Sequence, residues 1–302
     1  MRILLPIDGS TYSDAALSFI ASRDTLIQDE SVEVELLNVQ YPVPARAARY
    51  AGSEMVRSYQ ESEGNKVIKP ALAVLKRAGL RANAKYVVGS PGPEVARVAA
   101  SDAPDLIVMG SHGHTGFKNL LFGSVTQAVL AACTTPLWVV RGDAVPKKDA
   151  IKLGIALDGS KYGLAAVRFV VKYPALFGPL PSITLVHVVP DLTSLRVPGV
   201  FADSKVPGFK GEQMLEMQRA SFERALAPAR KLLKAAALPF KEAQLTGNNP
   251  GDLIAAYATR SKLDLLAMGS HGEGAFISTV LGSVATRVAA KCRSALLLIR
   301  QK

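Results

Sequence analysis

Two stretches concentrate the chemistry of this sequence: GSHGHTGFKNLLFGS (110–124) and GSHGEGAFISTVLGS (269–283). Each reads Gly-x-x-Gly, nine residues, then Gly-Ser, and each follows an apolar run ending in methionine, DLIVM or DLLAM. Gly110 and Gly113, like Gly269 and Gly272, leave a backbone without Cβ atoms, so N–H groups can approach a ligand closely. The closing pairs Gly123-Ser124 and Gly282-Ser283 open the amphipathic runs SVTQAVLAAC and SVATRVAAKC. Free N–H donors and the positive end of a helix dipole make a phosphate site at such a position. A serine there serves equally as a plain helix cap. One Gly-x-x-Gly is a weak signal; the same spacing at the same place in two halves of a chain is a much stronger one.

Two carboxylates belong to the same pattern. Asp8 ends ILLPID and Asp158 ends LGIALD. A carboxylate at the end of a strand accepts a hydrogen bond from an amine or a sugar hydroxyl, and Asp-Gly-Ser also suits a helix N-cap. Local sequence does not separate the two. His112, His114 and His271 lie in the glycine loops and read as turn residues before metal ligands. Lys118, in the first spacer, is a phosphate cation by type. The second spacer has Glu273 and no basic residue, which disfavours phosphate unless distance or a divalent ion relieves it. Tighter triphosphate binding is therefore expected in the first half, with Arg287 and a more basic second half acting the other way. No G-x-x-x-x-G-K-[ST], no G-x-G-x-x-G after the first strand and no G-x-S-x-G occurs, which removes the P-loop, dinucleotide and nucleophile-elbow readings.

The elements that must hold these residues are themselves repeated. VELLNVQYP (34–42) matches ITLVHVVPD (183–191), setting Val39 opposite Val188, and TPLWVVR (135–141) matches SALLLIR (294–300). The first copy reads as strands near 2–7, 33–40, 82–88, 105–109 and 136–140, with helices near 11–22, 54–79, 92–101 and 124–133. Apolar strands alternating with helices predict an α/β protein of two tandem doubly wound domains. Each is a Rossmann-like five-stranded parallel sheet with helices on both faces. The domains are expected at 1–142 and 150–302, joined by the polar GDAVPKKDA. The second copy carries extra residues, placed at 191–211, before a long helix at about 210–237. In such folds ligands bind beyond the carboxyl ends of the strands, where Asp8, Asp158 and both glycine loops would fall.

Bulk properties bound the function. The chain has 302 residues, 49% apolar and 20% charged, with a net charge of +11. No apolar stretch approaches the roughly 18 residues of a membrane span, and MRILLPIDGS is interrupted too soon for a secretory signal; a cytoplasmic protein is expected. Cys133 and Cys292 occupy equivalent positions and read as buried helix-end residues, not a disulfide. Residues 1–150 hold 16 Lys and Arg against 15 Asp and Glu, and residues 151–302 hold 20 against 10. The basic residues are scattered along helices without an RNA-binding signature, so a solvated surface is expected before a nucleic-acid partner.

Taken together, Asp8 and Asp158, MGSHG twice, and G-x2-G-x9-G-S twice resemble the universal stress protein family in its tandem form, over nearly the whole chain. The resemblance implies its ATP-binding branch, with ATP, ADP or another adenine nucleotide bound and Mg arriving with the phosphates, not on protein side chains. It implies that Asp8 and the backbones of Ile7 and Val39 face adenine and ribose, and that Met109 and Gly110 lie along the ribose. Gly113, Gly123, Ser124 and Val125 would surround the phosphates. The second copy would use Leu157, Asp158, Val188, Met268, Gly269, Gly272, Gly282, Ser283 and Val284 likewise. It also implies pairing of the last strands, PLWVV with ALLLI, as an internal pseudo-dimer, and leaves further dimerisation open. The expected role is a nucleotide-responsive regulatory or binding protein of a stress response. The alternatives are a slow Mg-dependent ATPase, for which the chain offers no evident general base, and an interaction module that does not use nucleotide.

Overall fold

Runs rich in Ile, Leu and Val become strands because branched side chains pack well on a pleated surface. In this chain they all enter one sheet. The computed structural model describes residues 1–111, 122–141, 150–191, 211–272 and 281–300. The first half runs β1 (Arg2–Ile7), α1 (Thr11–Ala21), α2 (Asp24–Ile27), β2 (Glu33–Gln40), α3 (Ala45–Ala51), α4 (Ser53–Arg77), β3 (Arg81–Val88), α5 (Pro91–Asp102), β4 (Leu106–Gly110), α6 (Ser124–Ala132) and β5 (Leu137–Val140). The second repeats it as β6 (Lys152–Ala156), α7 (Lys161–Lys172), a 3₁₀ turn (Pro174–Phe177), β7 (Ser182–Val189), α8 (Gly211–Ala235), β8 (Phe240–Thr246), α9 (Pro250–Arg260), β9 (Leu265–Gly269), α10 (Ser283–Lys291) and β10 (Ala295–Ile299). The linker 142–149 and most of the insertion expected at 191–211 lie outside the described residues.

Within each half the strands are parallel, and the two halves join edge to edge in the order β3-β2-β1-β4-β5-β10-β9-β6-β7-β8. The junction is the one antiparallel pairing of the described sheet: Leu296 faces Val139, Leu297 faces Trp138 and Leu298 faces Leu137. Pairing β5 with β10 removes an exposed edge from each half. The outer edges remain at β3 and β8, whose side chains are largely half-buried or exposed. There the expected burial of both faces is incomplete, since each edge strand has a neighbouring strand on one side only, although α4 still packs over β3, where Gly64 lies against Tyr86. The short helices α2 and α3 were not legible in the sequence. α3 buries no residue at all, so no apolar periodicity marks it.

Each face of the sheet carries a core that runs through both halves. On one face α1, α4, α7 and α8 pack down residues such as Phe19, Leu75, Val170 and Leu226. On the other, α5, α6, α9 and α10 contribute Val95, Val129, Ile254 and Val288. The helices are placed by their stripes: in α4, Gly64, Ile68, Ala71 and Leu75 recur at helical spacing and are buried. Among the described residues no helix is long and apolar enough to cross a membrane. Cys133 and Cys292 are free, buried, and end α6 and α10; burial pushes the Cys133 thiol up.

The junction is also fastened by side chains. Trp138 is completely buried, its ring 4.6 Å from that of Phe19 and 5.9 Å from that of Phe177 in the other half. Thr25 donates to Ala175 O, and the Tyr173 hydroxyl donates to the Asp105 carboxylate. Burial would raise the Asp105 carboxyl. The Tyr173 hydroxyl, the Arg2 amide and the Lys172 ammonium outweigh it and hold it below the usual carboxylate value. A depressed native pKa contributes stability that is present above the unfolded value, about 3.9, and is lost as pH falls through the native value. Asp105→Asn is therefore expected to cost roughly 1–2 kcal/mol at neutral pH and to cost less in acid. Urea unfolding at pH 7 and pH 3 checks this; an equal cost at both would contradict it.

Candidate functional site

β1 is flanked by β2 on one side and β4 on the other, so the chain leaving these strands diverges and opens a crevice at their carboxyl ends. β6, between β7 and β9, does the same. A cavity of about 330 Å³ occupies the first crevice and one of about 480 Å³ the second, both of ligand-pocket size. Ile7, Asp8, Val39, Met109, Gly110, Gly123, Ser124 and Val125 all line the first. Leu157, Asp158, Val188, Met268, Gly269, Gly272, Gly282, Ser283 and Val284 all line the second. Gly113 and Lys118, with His112, His114 and Glu273, lie outside the described residues. Leu37, Val95 and Met109 form an apolar wall in one cavity, as Ala156, Ile254 and Met268 do in the other.

The turns after β1 and β6 separate the two readings of the aspartates. Gly9 and Gly159 take positive φ of +76° and +87°, a conformation that favours glycine. Asp8 Oδ1 accepts the Ser10 N–H at 3.0 Å, and Asp158 Oδ1 accepts the Ser160 N–H at 3.0 Å. The caps of α1 and α7 are the serines: Ser10 Oγ accepts from Ser13 N at 3.3 Å and Ser160 Oγ from Gly163 N at 3.2 Å. The aspartates thus brace the turn without capping the helix, and each carboxylate lines its cavity. In the second half it lies against the glycine loop, where an added Cβ on Gly272 would stand 2.7 Å from Asp158 Oδ2.

The helix starts at the other side of each cavity are built differently. Gly123 and Gly282 are the N-caps of α6 and α10, with no side-chain cap, and Ser124 and Ser283 are the first helical residues. The plain-cap reading of these serines therefore fails. Each glycine closes its loop through its own N–H, Gly123 to Ser111 O and Gly282 to Ser270 O, both at 2.8 Å. The first helical N–H groups have no capping oxygen from these glycines and stand beside the cavity. A Cβ on Gly110 would come within 2.6 Å of the Tyr12 backbone, and one on Gly269 within 2.6 Å of Tyr162 Cβ. Those two glycines are demanded by packing against α1 and α7, a constraint beyond the ligand approach expected from sequence.

Two lining residues escaped the sequence reading. Asn38 Nδ2 donates to Ile7 O at 2.8 Å, and at the equivalent position His187 Nδ1 stands 2.7 Å from Leu157 O. Because the carbonyl accepts, His187 carries its proton on Nδ1. Each ties the second strand of its half to the residue before the aspartate. The shared role was hidden because one copy spells it Asn and the other His. Arg287 does not line the cavity; it is held by Asp252 of α9 through two bonds of 2.8 and 2.9 Å. Arg287 and Lys291 together hold the Asp252 carboxyl far below the usual value, and the Arg287 guanidinium is engaged on α9, not on the cavity wall.

Fold and site together define a tandem Rossmann-like protein with one small-molecule crevice per half. The chain belongs to the universal stress protein family: the model described as "Universal stress protein family" matches residues 1–141 and again 152–300. A universal stress protein of Mycobacterium tuberculosis is 22% identical over 309 residues, covering 99% of this chain and 97% of that protein. The crystal structure of a universal stress protein from Archaeoglobus fulgidus covers 99% of this chain and 96% of its own, at 20% identity and a TM-score of 0.65. A family protein from Arabidopsis thaliana, solved with AMP bound, covers 49% of this chain and 97% of its own, at 14% identity and a TM-score of 0.36.

Proposed function

We propose that this chain is an adenine-nucleotide-binding protein with one site in each half, taking ATP with Mg and acting as a nucleotide-responsive regulatory module in a stress response. The observation that carries the reading is convergence. In both halves a strand-end carboxylate, an apolar wall and a helix N-terminus capped only by glycine border one cavity. The apolar wall suits a base, with the backbones of Ile7 and Val39, or Leu157 and Val188, along its edge. Asp8 and Asp158 suit ribose hydroxyls, beside Met109 and Gly110 or Met268 and Gly269. Gly123, Ser124 and Val125, and Gly272, Gly282, Ser283 and Val284, suit phosphates. Gly113 and Lys118 complete the first set by sequence. Lys118 against Glu273 favours the first site for triphosphate.

A thermal-shift titration tests the reading. ATP with Mg at about 100 times its dissociation constant adds roughly 2.7 kcal/mol per site, so a clear upward shift is expected with ATP and a smaller one with GTP. No shift with any nucleotide, in a folded sample, would favour an interaction module. Hydrolysis above about 1 s⁻¹ that is lost in Asp8→Ala would make the protein an enzyme.

A further inference from the structure

Each half reaches across the junction to the far end of the helix on which the other half's Gly-Ser corner is built. Arg141, which follows β5, donates from Nη1 to Cys292 O at 2.6 Å and from Nη2 to Ala289 O at 2.5 Å. Those carbonyls end α10, where helical partners run out and the dipole is negative. Arg300, which follows β10, donates to Cys133 O at the end of α6 at 3.2 Å. The two arginines are equivalent in the repeat, so the tie is reciprocal, but it is not equal. Arg141 makes two such bonds, and its guanidinium also stands 5.8 Å from the centre of the Phe122 ring. Phe122 is almost fully buried and immediately precedes Gly123, the N-cap of α6. The second copy has Leu281 in that place.

A contiguous set of contacts therefore joins the two cavities. It runs from Gly123 and Ser124 through Phe122 to Arg141, then to the last carbonyls of α10, and along that short helix to Ser283 and Gly282. We propose that Arg141 is a positioning residue that couples the two nucleotide sites. Phosphate anchored at Ser124 and Val125 holds Phe122 and Arg141 in place, and with them the helix whose first turn forms the second site. Arg300 supplies a weaker return path. The proposal rests on the nucleotide reading above. Its consequence is that filling either site raises affinity at the other, by the same factor in both directions.

The test uses ATP with Mg and calorimetric titration of the full chain. Ser283→Pro and Ser124→Pro each weaken one site by about 10- to 100-fold, and the tighter phase of each titration gives the intrinsic constant of the other. The coupling factor is the product of those two dissociation constants divided by the product of the two stepwise constants of the unaltered protein. A factor of about 5 or more is expected, within the usual range for coupled sites. Both Arg141→Ala and Phe122→Leu, each combined with the same two proline substitutions, are expected to bring it to within twofold of 1. Phe122→Leu keeps both arginine–carbonyl bonds and copies the residue of the second half, so it guards against misfolding. General loosening weakens the isolated sites and the paired sites alike and cancels in the ratio. A factor near 1 in the unaltered protein, or one unchanged in both variants, would overturn the proposal. Absence of binding in the unaltered protein would instead overturn the nucleotide reading beneath it.

Discussion

Replacing Ser124 with proline is expected to weaken ATP binding at the first site by about 10- to 100-fold while leaving the fold intact. Proline is accepted at the first position of a helix, where its fixed φ suits the turn and its missing N–H has no helical partner to lose. The residue before it must be extended, and Gly123 already sits at φ −61° and ψ 159°. The substitution thus removes one N–H and one hydroxyl from the cavity wall and little else. Hydrogen bonds to a charged group contribute about 1.5–3 kcal/mol each, and loss of one such donor gives the stated range. Gly282 has nearly the same geometry, φ −63° and ψ 159°, so Ser283→Pro should do the same to the second site. Calorimetry checks the affinity and thermal unfolding checks the fold. A variant that binds ATP as well as the unaltered chain would show that these helix starts do not hold phosphate.

The second large effect is on stability. Trp138→Ala is expected to cost about 3–5 kcal/mol, the usual penalty for emptying a buried aromatic site, out of a total of about 5–15 kcal/mol for a typical protein. Trp138 is fully buried, stacks on Phe177 of the other half and faces Leu297 across the junction. Because it belongs to the core of both halves, both should unfold in one earlier transition. The chain has a single tryptophan, so the variant is followed by far-ultraviolet circular dichroism in urea. Two separate transitions, of which only one moves, would contradict a shared core.

Much of this was legible in the sequence because the repeat doubles every signal. Asp8 and Asp158 stand where strands end, and the two Gly-Ser pairs stand where helices begin, at matching places in both halves. The pairing of PLWVV with ALLLI was implied by the family resemblance and not by the segments themselves, and β5 does pair with β10. What stayed hidden has physical causes. Whether Asp8 or Ser10 caps α1 depends on backbone direction at Gly9, and Asp-Gly-Ser allows both. Whether Gly110 is small for a ligand or for Tyr12 depends on how α1 lies over β4, a distance that no local pattern encodes. Arg287 was expected to act against the asymmetry set by Glu273, but α9 brings Asp252 beside it. Asn38 and His187 share a role through different chemistry, so no shared letter marked it.

The most direct measurement is the stoichiometry of adenine nucleotide on the full chain. Purified protein would be titrated with ATP and Mg, and nucleotide released on denaturation would be identified and counted by chromatography and mass spectrometry. Two adenine nucleotides per chain, counting those carried through purification and those taken up, is the expected result, with the first site filling more tightly. No retained nucleotide together with a flat titration of folded protein would contradict the account, and the paired cavities would then have to serve some other ligand.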